Sequence, residues 1–286
     1  MNYKIIIPAH NEESHIGKTL DSIVNQSLLP SEVVVVNDNS TDKTVEIIQF
    51  FVINHSFIKT INSDSNSTKH EPGTKIIEAF YKGFETINPE WDFIVKLDAD
   101  VILPNDYFET VAEEFQRNPK AGIVGGIALI EKNEKWIYEN IGNKKQVRGP
   151  FKAYSKVCFD KIGGLKKSIG WDTADELLAR FYGFGVMVLE NLEVKLQRPT
   201  GQDYQKIHGK ITGTSFYKLY YCWSISFIAA TKADWNKKSV SLLFSISKGY
   251  LVAVLNNDNK IVTKSEGAFI RKYRWRGILN RLVNRT

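Results

Sequence analysis

Four strand-length runs, YKIII (3–7), VVVV (33–36), FIKTI (57–61) and DFIVKL (92–97), alternate with helix-like stretches at about 13–27, 42–53 and 74–87. The strands are near-continuously apolar, and the segments between them carry the spacing of helices. A chain in this βαβαβαβ order folds as a parallel sheet with helices on both faces, joined by right-handed crossovers. The predicted class is α/β. Beyond residue 120 the pieces lengthen into strand-like AGIVGGIALIE (121–131) and VRGPFKAYS (147–155), helix-like TADELLARFYG (173–183) and strand-like VMVLE (186–190). Gly163, Gly164 and Gly170 supply turns ahead of that helix. NSDSNSTKHEPG (62–73) reads as a polar loop, and RPTGQDYQKIHGKITGTS (198–215), rich in Gly, Thr and Lys without periodicity, as a mobile lid.

Parallel topology fixes where a ligand goes, because open α/β sheets bind beyond the carboxyl ends of their strands. Three polar clusters fall there: PAHNEE (8–13), NDNSTD (37–42) and DAD (98–100). Glu12, Asp38, Asp98 and Asp100 are therefore expected along one edge. If strand geometry persists through DAD, Asp98 and Asp100 leave the same face about 6–7 Å apart. Two such charges, partly shielded from water, repel by roughly 1–4 kcal/mol. Positive charge is required between them, and a hard divalent cation such as Mg2+ or Mn2+ suits oxygen ligands. A solvated turn, with Pro104 and Asn105 close behind, is the alternative for this motif taken alone. Convergence of three polar strand ends favours the cation.

With 286 residues, 43% hydrophobic and 24% charged, the chain has length for one large domain and an appendage. YKIIIPAHNEE near the start has no signal-peptide character, which predicts a cytoplasmic protein. Cys158 and Cys222, outside any C-x-x-C spacing, read as two reduced thiols. The net charge of +6 is concentrated: from residue 260 onward eight basic residues face Glu266 alone, leaving a nearly neutral body. That distribution argues against a broad nucleic-acid surface. No G-x-G-x-x-G follows the first strand, so a dehydrogenase has little support.

IIIPAHNEE, VVVVNDNSTDKT, VKLDAD and GWDTADELLAR, in this order and at these separations, resemble the inverting family 2 glycosyltransferases of GT-A fold, a group with many bacterial polysaccharide-assembly enzymes. The likeness covers roughly residues 1–195. Two departures stand out: Asn-Asp-Asn-Ser where the family often has Asp-Asp-Gly-Ser, and Thr-Ala-Asp-Glu where many members have Glu-Asp. The resemblance implies a Rossmann-like, mostly parallel central sheet in a GT-A domain at 1–215. Its nucleotide-sugar-binding half would be 1–103 and its acceptor-binding half and lid 104–215, before a helical extension at 216–286. It implies further that Pro8, Ala9, Asn11 and Glu12 line the nucleotide pocket and that Asp38 faces the base, where a carboxylate accepts from a uracil N–H. Asp98 would lie near ribose and metal, and Asp100 would hold the cation. Ser40 suits the donor pocket or, like Thr41, the N-cap of a helix from about Asp42. Lys75 would reach the donor or begin a solvated helix. His208 would complete the metal shell, meet the diphosphate beside Lys206 and Lys210, or stay at the surface. Trp171 would stack on an acceptor sugar or belong to the core.

The implied chemistry is attack by an acceptor hydroxyl on the anomeric carbon while a diphosphate leaves from the opposite face. A cation at Asp100 would act there as Lewis acid and template. A carboxylate must take the hydroxyl proton. Asp175 is the candidate, in a helix beginning near Thr173 whose macrodipole favours the ionised form; Asp172 and Glu176 are rivals. The expected activity is a metal-dependent, inverting hexosyltransferase moving a sugar, with UDP as the expected carrier, to a glycan or lipid-linked acceptor. A polyprenyl-phosphate sugar transferase is the alternative among enzymes, and a non-catalytic nucleotide- or partner-binding GT-A domain the alternative outside them.

FYKLYYCWSISFIAAT (216–231) and VSLLFSISKGYLVAVL (240–255) are apolar but shorter than the roughly 18 uninterrupted residues of a spanning helix. The aromatics crowding the first stretch suit a membrane boundary. In RWRGILNRLVNR (274–285), Trp275, Ile278, Leu279 and Leu282 recur at helical spacing, flanked by Arg274, Arg281 and Arg285. Each basic residue near an anionic leaflet contributes about 1 kcal/mol. The expectation is peripheral attachment to the cytoplasmic face of the inner membrane, with packing against protein as the alternative.

Overall fold

The computed structural model describes residues 1–63, 73–141, 144–199, 208–237 and 240–283. They form two compact units: Met1–His70, Lys75–Leu165 and Tyr182–Thr200 in the first, Glu71–Thr74, Lys166–Phe181 and Gly201–Thr286 in the second.

The first unit opens with β1 (Tyr3–Ala9), α1 (Ile16–Val24), β2 (Glu32–Asn37), α2 (Thr44–Asn54), β3 (Ile58–Asn62), α3 (Thr74–Phe84) and β4 (Phe93–Leu97). β1 pairs in parallel with β2 and β4, and β2 with β3. Ile5, Ile6, Ile7, Val33, Val34, Val35 and Val36 are all fully buried, as a strand covered on both faces requires. At about 1.5–3 kcal/mol for each such side chain, this block contributes on the order of 10–20 kcal/mol to the favourable side of folding. α3 lies so close to one face that a Cβ on Gly83 would meet Ile6 and Val36 at 2.7 and 2.8 Å. On the opposite face Tyr3 stacks on Phe93 at 4.7 Å and meets Phe108 at 4.8 Å. Phe108 belongs to α4 (Tyr107–Arg117).

The remaining strands are β5 (Val101–Ile102), β6 (Ala121–Lys132), β7 (Lys135–Tyr138), β8 (Phe151–Ser155) and β9 (Gly185–Leu196), with α5 (Lys156–Lys161) after β8. The sheet runs β3-β2-β1-β4-β8-β6-β9-β5, with β7 on β6. β8 is antiparallel to β4 and β6, β5 to β9 and β7 to β6, while β6 and β9 are parallel. The parallel half thus carries the expected α/β order, and the second half is mixed. The chain winds from β1 outward to β3 and then returns to place β4 on the other side of β1. The β1/β4 gap is therefore the topological switch point.

The second unit contains α6 (Trp171–Phe181), α7 (His208–Lys218), α8 (Trp223–Lys237), α9 (Val240–Leu255) and α10 (Lys264–Val283). Within the stretch expected as a lid, 208–215 belongs to α7 and 200–207 lies outside the described residues. The glycines that hide the helical period in the sequence are its packing surface. A Cβ on Gly213 would lie 2.0 Å from Ile246 O, and Gly249 of α9 makes the reciprocal approach to Lys210 O at 2.2 Å.

Candidate active site

β1, β2 and β4 end side by side, so the loops that leave them share one edge. Asn11 (φ 53°) and Asn39 (φ 55°) both turn through the left-handed region, which Asn enters more readily than most side chains. Asn39 occupies the place where the family motif often has Gly, so this departure preserves the turn. Asn11 N donates to Ser40 Oγ at 3.0 Å, Thr41 N to Asn11 Oδ1 at 2.8 Å and Glu12 N to Thr44 Oγ1 at 2.7 Å. These bonds stitch the β1–α1 loop to the β2–α2 loop. Ser40 is consequently not an N-cap: its oxygen is engaged by the neighbouring loop, and α2 begins at Thr44 without a side-chain cap at its N-cap residue. Asp42 instead braces the entry, accepting from Thr44 N at 3.0 Å and Glu13 N at 3.2 Å.

Asp38 follows β2, with its N–H donating to Ala9 O at 2.8 Å and its own carbonyl 2.5 Å from His10 Nδ1, which donates to it. Its Oδ1 is buried and has no hydrogen-bond partner among the described residues. An orphaned carboxylate oxygen of this kind costs free energy until a donor arrives.

β4 ends at Leu97, and Asp98 and Asp100 follow it in a turn rather than in continued strand geometry. Lys96, almost fully buried, donates through Nζ to Asp98 Oδ1. Asp100 Oδ2 accepts from Arg198 Nε at 2.7 Å, and Arg198 Nη2 donates to Glu12 Oε1. The other Glu12 oxygen, Oε2, lies 3.1 Å from His15 Nδ1. Burial raises the pKa of Asp100, the charge of Asp98 raises it further, and Arg198 opposes both. Glu12 is also raised, chiefly by burial and against the pull of Arg198. For Arg198 burial acts downward, but the hydrogen bond and charge of Asp100, joined by Glu12, outweigh it and hold the guanidinium charged. The positive charge that this edge requires comes here from Lys96 and Arg198.

Among the described residues no cluster of three or more His, Cys, Asp or Glu is arranged to hold a metal. A cation of the Mg2+ type ordinarily takes only one or two carboxylates and completes its shell with substrate phosphate and water. Asp98 and Asp100 suit that partial shell, so the donor set fits a cation delivered with a diphosphate rather than an all-protein cage.

The loops at this edge thus carry Glu12, Asp38, Asp98 and Asp100, with Pro8 and Ala9 ending β1 and Asn11 in the loop that follows. Lys75 stands half-buried at the start of α3. Trp171, Asp175 and Glu176 belong to the second unit, in α6, and are buried, Asp175 to 1% exposure. Asp175 Oδ1 accepts from Glu176 N at 2.6 Å. α6 starts at Trp171 rather than near Thr173, because the turn at Gly170 (φ 78°) already offers its carbonyl to Thr173 N and Ala174 N. Asp172 therefore takes the first-turn place and the macrodipole argument passes to it. His208 begins α7, its side chain and Lys206 lying outside the described residues, and Lys210 is exposed on that helix. Sequence reasoning did not single out His10, His15, Lys96, Gln197 or Arg198; the two histidines stand inside or beside the quoted motif, and Arg198 two residues beyond a strand.

Residues 4–169 match the family described as Glycosyl transferase family 2. The chain belongs to that family. A relative, poly-beta-1,6-N-acetyl-D-glucosamine synthase of Staphylococcus epidermidis, is 30% identical over 163 residues, 57% of this chain and 34% of its own length. The Staphylococcus aureus synthase is 27% identical over the same span. The chain therefore spans about a third of the length of these curated relatives. Among solved structures, Staphylococcus aureus TarS 1–349 in complex with UDP-GlcNAc matches with a TM-score of 0.56 at 17% identity, covering 76% of this chain and 64% of that one. The mannosyltransferase PcManGT of Pyrobaculum calidifontis, solved with GDP-Man and Mn2+, matches with a TM-score of 0.57 at 14% identity, covering 97% and 80%. These likenesses show the GT-A fold.

Proposed function

We propose that this family 2 glycosyltransferase moves a sugar from a UDP-sugar to a hydroxyl of a glycan or lipid-linked acceptor, with inversion, in cell-surface polysaccharide assembly. The observation that carries the reading is the meeting of Glu12 and Asp100 on Arg198 at the β1/β4 switch point, with Asp98 acting on Asp100 and, after β2, an Asp38 oxygen that lacks a donor among the described residues. Asp38 Oδ1 accepts the uracil N–H and gains the partner that it lacks. The stitched loops around Asn11 and Ser40 hold that acceptor still, with Pro8 and Ala9 as floor. A divalent cation, Mg2+ or Mn2+, bound by Asp100 and Asp98 supplies Lewis-acid charge against the leaving diphosphate. Asp175 takes the proton from the attacking hydroxyl, and Glu176, Trp171 and Lys75 line substrate. His208, whose side chain lies outside the described residues, is the third proposed metal ligand.

UDP-GlcNAc is the donor to test first, given the relatives. Release of UDP from it in Mn2+ should fall about 100- to 1,000-fold in Asp100→Asn, the scale of losing one electrostatic stabiliser of departing charge. In Asp175→Asn the fall should be about 100- to 10,000-fold, the scale of general base catalysis. Unaltered melting temperatures would separate both losses from misfolding. Equal turnover in wild type and both variants would remove the assignment.

No helix among the described residues is long and apolar enough to cross a membrane. Attachment to an anionic leaflet is supported by α8 and α9, which expose Trp223, Phe227, Phe244, Leu251 and Leu255, and by the basic α10, where Leu279 and Val283 are exposed as well. Sedimentation with phosphatidylserine vesicles tests it: Phe244→Glu with Leu255→Glu should weaken binding, and the idea fails if they leave it unchanged.

A further inference from the structure

After β9 the chain delivers two residues to the acidic edge, and both are fixed before any ligand is considered. β5 pairs with β9 so that Val101 faces Leu196. Gln197 N then donates to Asp100 O at 2.9 Å, and its side-chain Nε2 donates to His15 O at 3.1 Å. The backbone is thereby tied to the end of β4 and the side chain to the start of α1, which leaves the next residue little freedom. Arg198 uses it to span two carboxylates from the loops after two different strands: Nε on Asp100 Oδ2 at 2.7 Å and Nη2 on Glu12 Oε1.

We propose that Arg198 is the resident counter-ion of Asp100 and that it and the divalent cation exclude one another at that carboxylate. The proposal rests on the reading of Asp100 as a cation ligand. Without a donor, Glu12, Asp98 and Asp100 face Arg198 and Lys96, so the cluster carries a net charge near −1 and Asp100 has one oxygen already engaged. A free divalent cation meets a weak site. A diphosphate changes the balance, because it offers the planar guanidinium a bidentate, charge-assisted partner in place of the single bond that Arg198 gives each of two carboxylates. Arg198 turns to the diphosphate, Asp100 is released, and the cation enters with the donor. Arg198 is in this sense a positioning residue: it orders the binding of nucleotide before metal and keeps the acid edge compact in the free protein.

The test is a titration of the full chain with Mn2+, read as loss of the free-ion paramagnetic resonance signal. It is run with and without UDP and corrected for Mn2+ bound by UDP in solution. In wild type, UDP should tighten Mn2+ binding by about 5- to 150-fold, the usual range of coupling between sites. In Arg198→Gln the cation should bind more tightly than in wild type when UDP is absent, and the further gain from UDP should shrink to what its phosphate oxygens contribute as ligands. A merely structural arginine predicts the opposite, since its loss would leave Mn2+ affinity unchanged or lower. Arg198→Lys, which keeps charge but cannot fork between two carboxylates, should lie between, and it carries the test if the Gln variant does not fold. Mn2+ affinity without UDP that is no higher in both variants overturns the proposal. Asp100→Asn separates the two failures: if it binds Mn2+ with UDP as wild type does, the assignment of Asp100 as ligand is what falls.

Discussion

Gly126 in the first unit and Gly213 in the second solve one packing problem on different elements. A Cβ on Gly126 would lie 2.1 Å from Leu192 O of the neighbouring strand, and one on Gly213 2.0 Å from Ile246 O of the neighbouring helix. On β6 the glycine sits inside AGIVGGIALIE, whose apolar residues still announce a strand. On α7 the glycines take the positions where apolar residues would have marked a buried face, and HGKITGTSFYK reads as irregular. Backbone-to-backbone packing therefore leaves a strand legible and erases a helix. Gly126→Ala and Gly213→Ala should each lose about 1–3 kcal/mol or more in urea unfolding, the range for overpacking. Hydrogen exchange should place the loss in β6 and β9 for the first and in α7 and α9 for the second. The comparison breaks if Gly213→Ala leaves α9 protection untouched.

Left-handed backbone draws a second contrast. In the first unit Asn39 takes φ 55°, while in the second Tyr220 takes φ 60° with its carbonyl held by Arg271 Nη1 at 3.2 Å. Asn enters this region more readily than most side chains, and a bulky aromatic rarely does. Asn39→Ala should destabilise by about 1–2 kcal/mol, the penalty of an L side chain with no local hydrogen bond in that region. Asn39→Gly should stay within a few tenths of wild type, judged by the shared midpoint of chemical unfolding. A neutral Asn39→Ala would show that the loop, not the residue, chooses the conformation.

The same contrast sorts what could be read of the fold and the site. β1, β2 and β4 follow from their apolar runs, and the topology of a parallel sheet then assembles Glu12, Asp38, Asp98 and Asp100 with no contact information. The need for positive charge among those acids was equally legible. Its source within the protein was not, because Arg198 stands 98 residues from Asp100 and 186 from Glu12, and only the antiparallel pairing of β5 with β9 brings it there. Antiparallel partners chosen across long loops leave no periodic trace in the chain. Lys96 was hidden for a different reason: a lysine within FIVKL looks like an interruption of the strand, and its partner, two residues on, was counted as a metal ligand. The start of α6 was misread by two residues because Gly170 turns the chain earlier than the acidic residues suggest.

Charge handling differs between the units as well, and Lys260 gives the smallest effect. In the first unit cations sit against carboxylates; in the second, Lys260 Nζ lies 2.9 Å from the centre of the Tyr217 ring and donates to Tyr217 O at 2.8 Å. Burial lowers its pKa to about 8, Arg271 lowers it further, and Asp258 opposes them. The folded value lies below the unfolded one, so the folded chain binds fewer protons between about pH 8 and the ordinary lysine range near 10.4. Stability should therefore rise as pH rises through that window, with the penalty of a charged Lys260 fully present below it. The gain is small, because the group is substantially exposed and solvent screens it. Isotope-labelled methyl groups on the lysines would report the titration directly, and Lys260→Met should flatten the pH dependence of unfolding. A Lys260 resonance that titrates with the other lysines would show that the aromatic ring, by favouring the charged ammonium, offsets the burial.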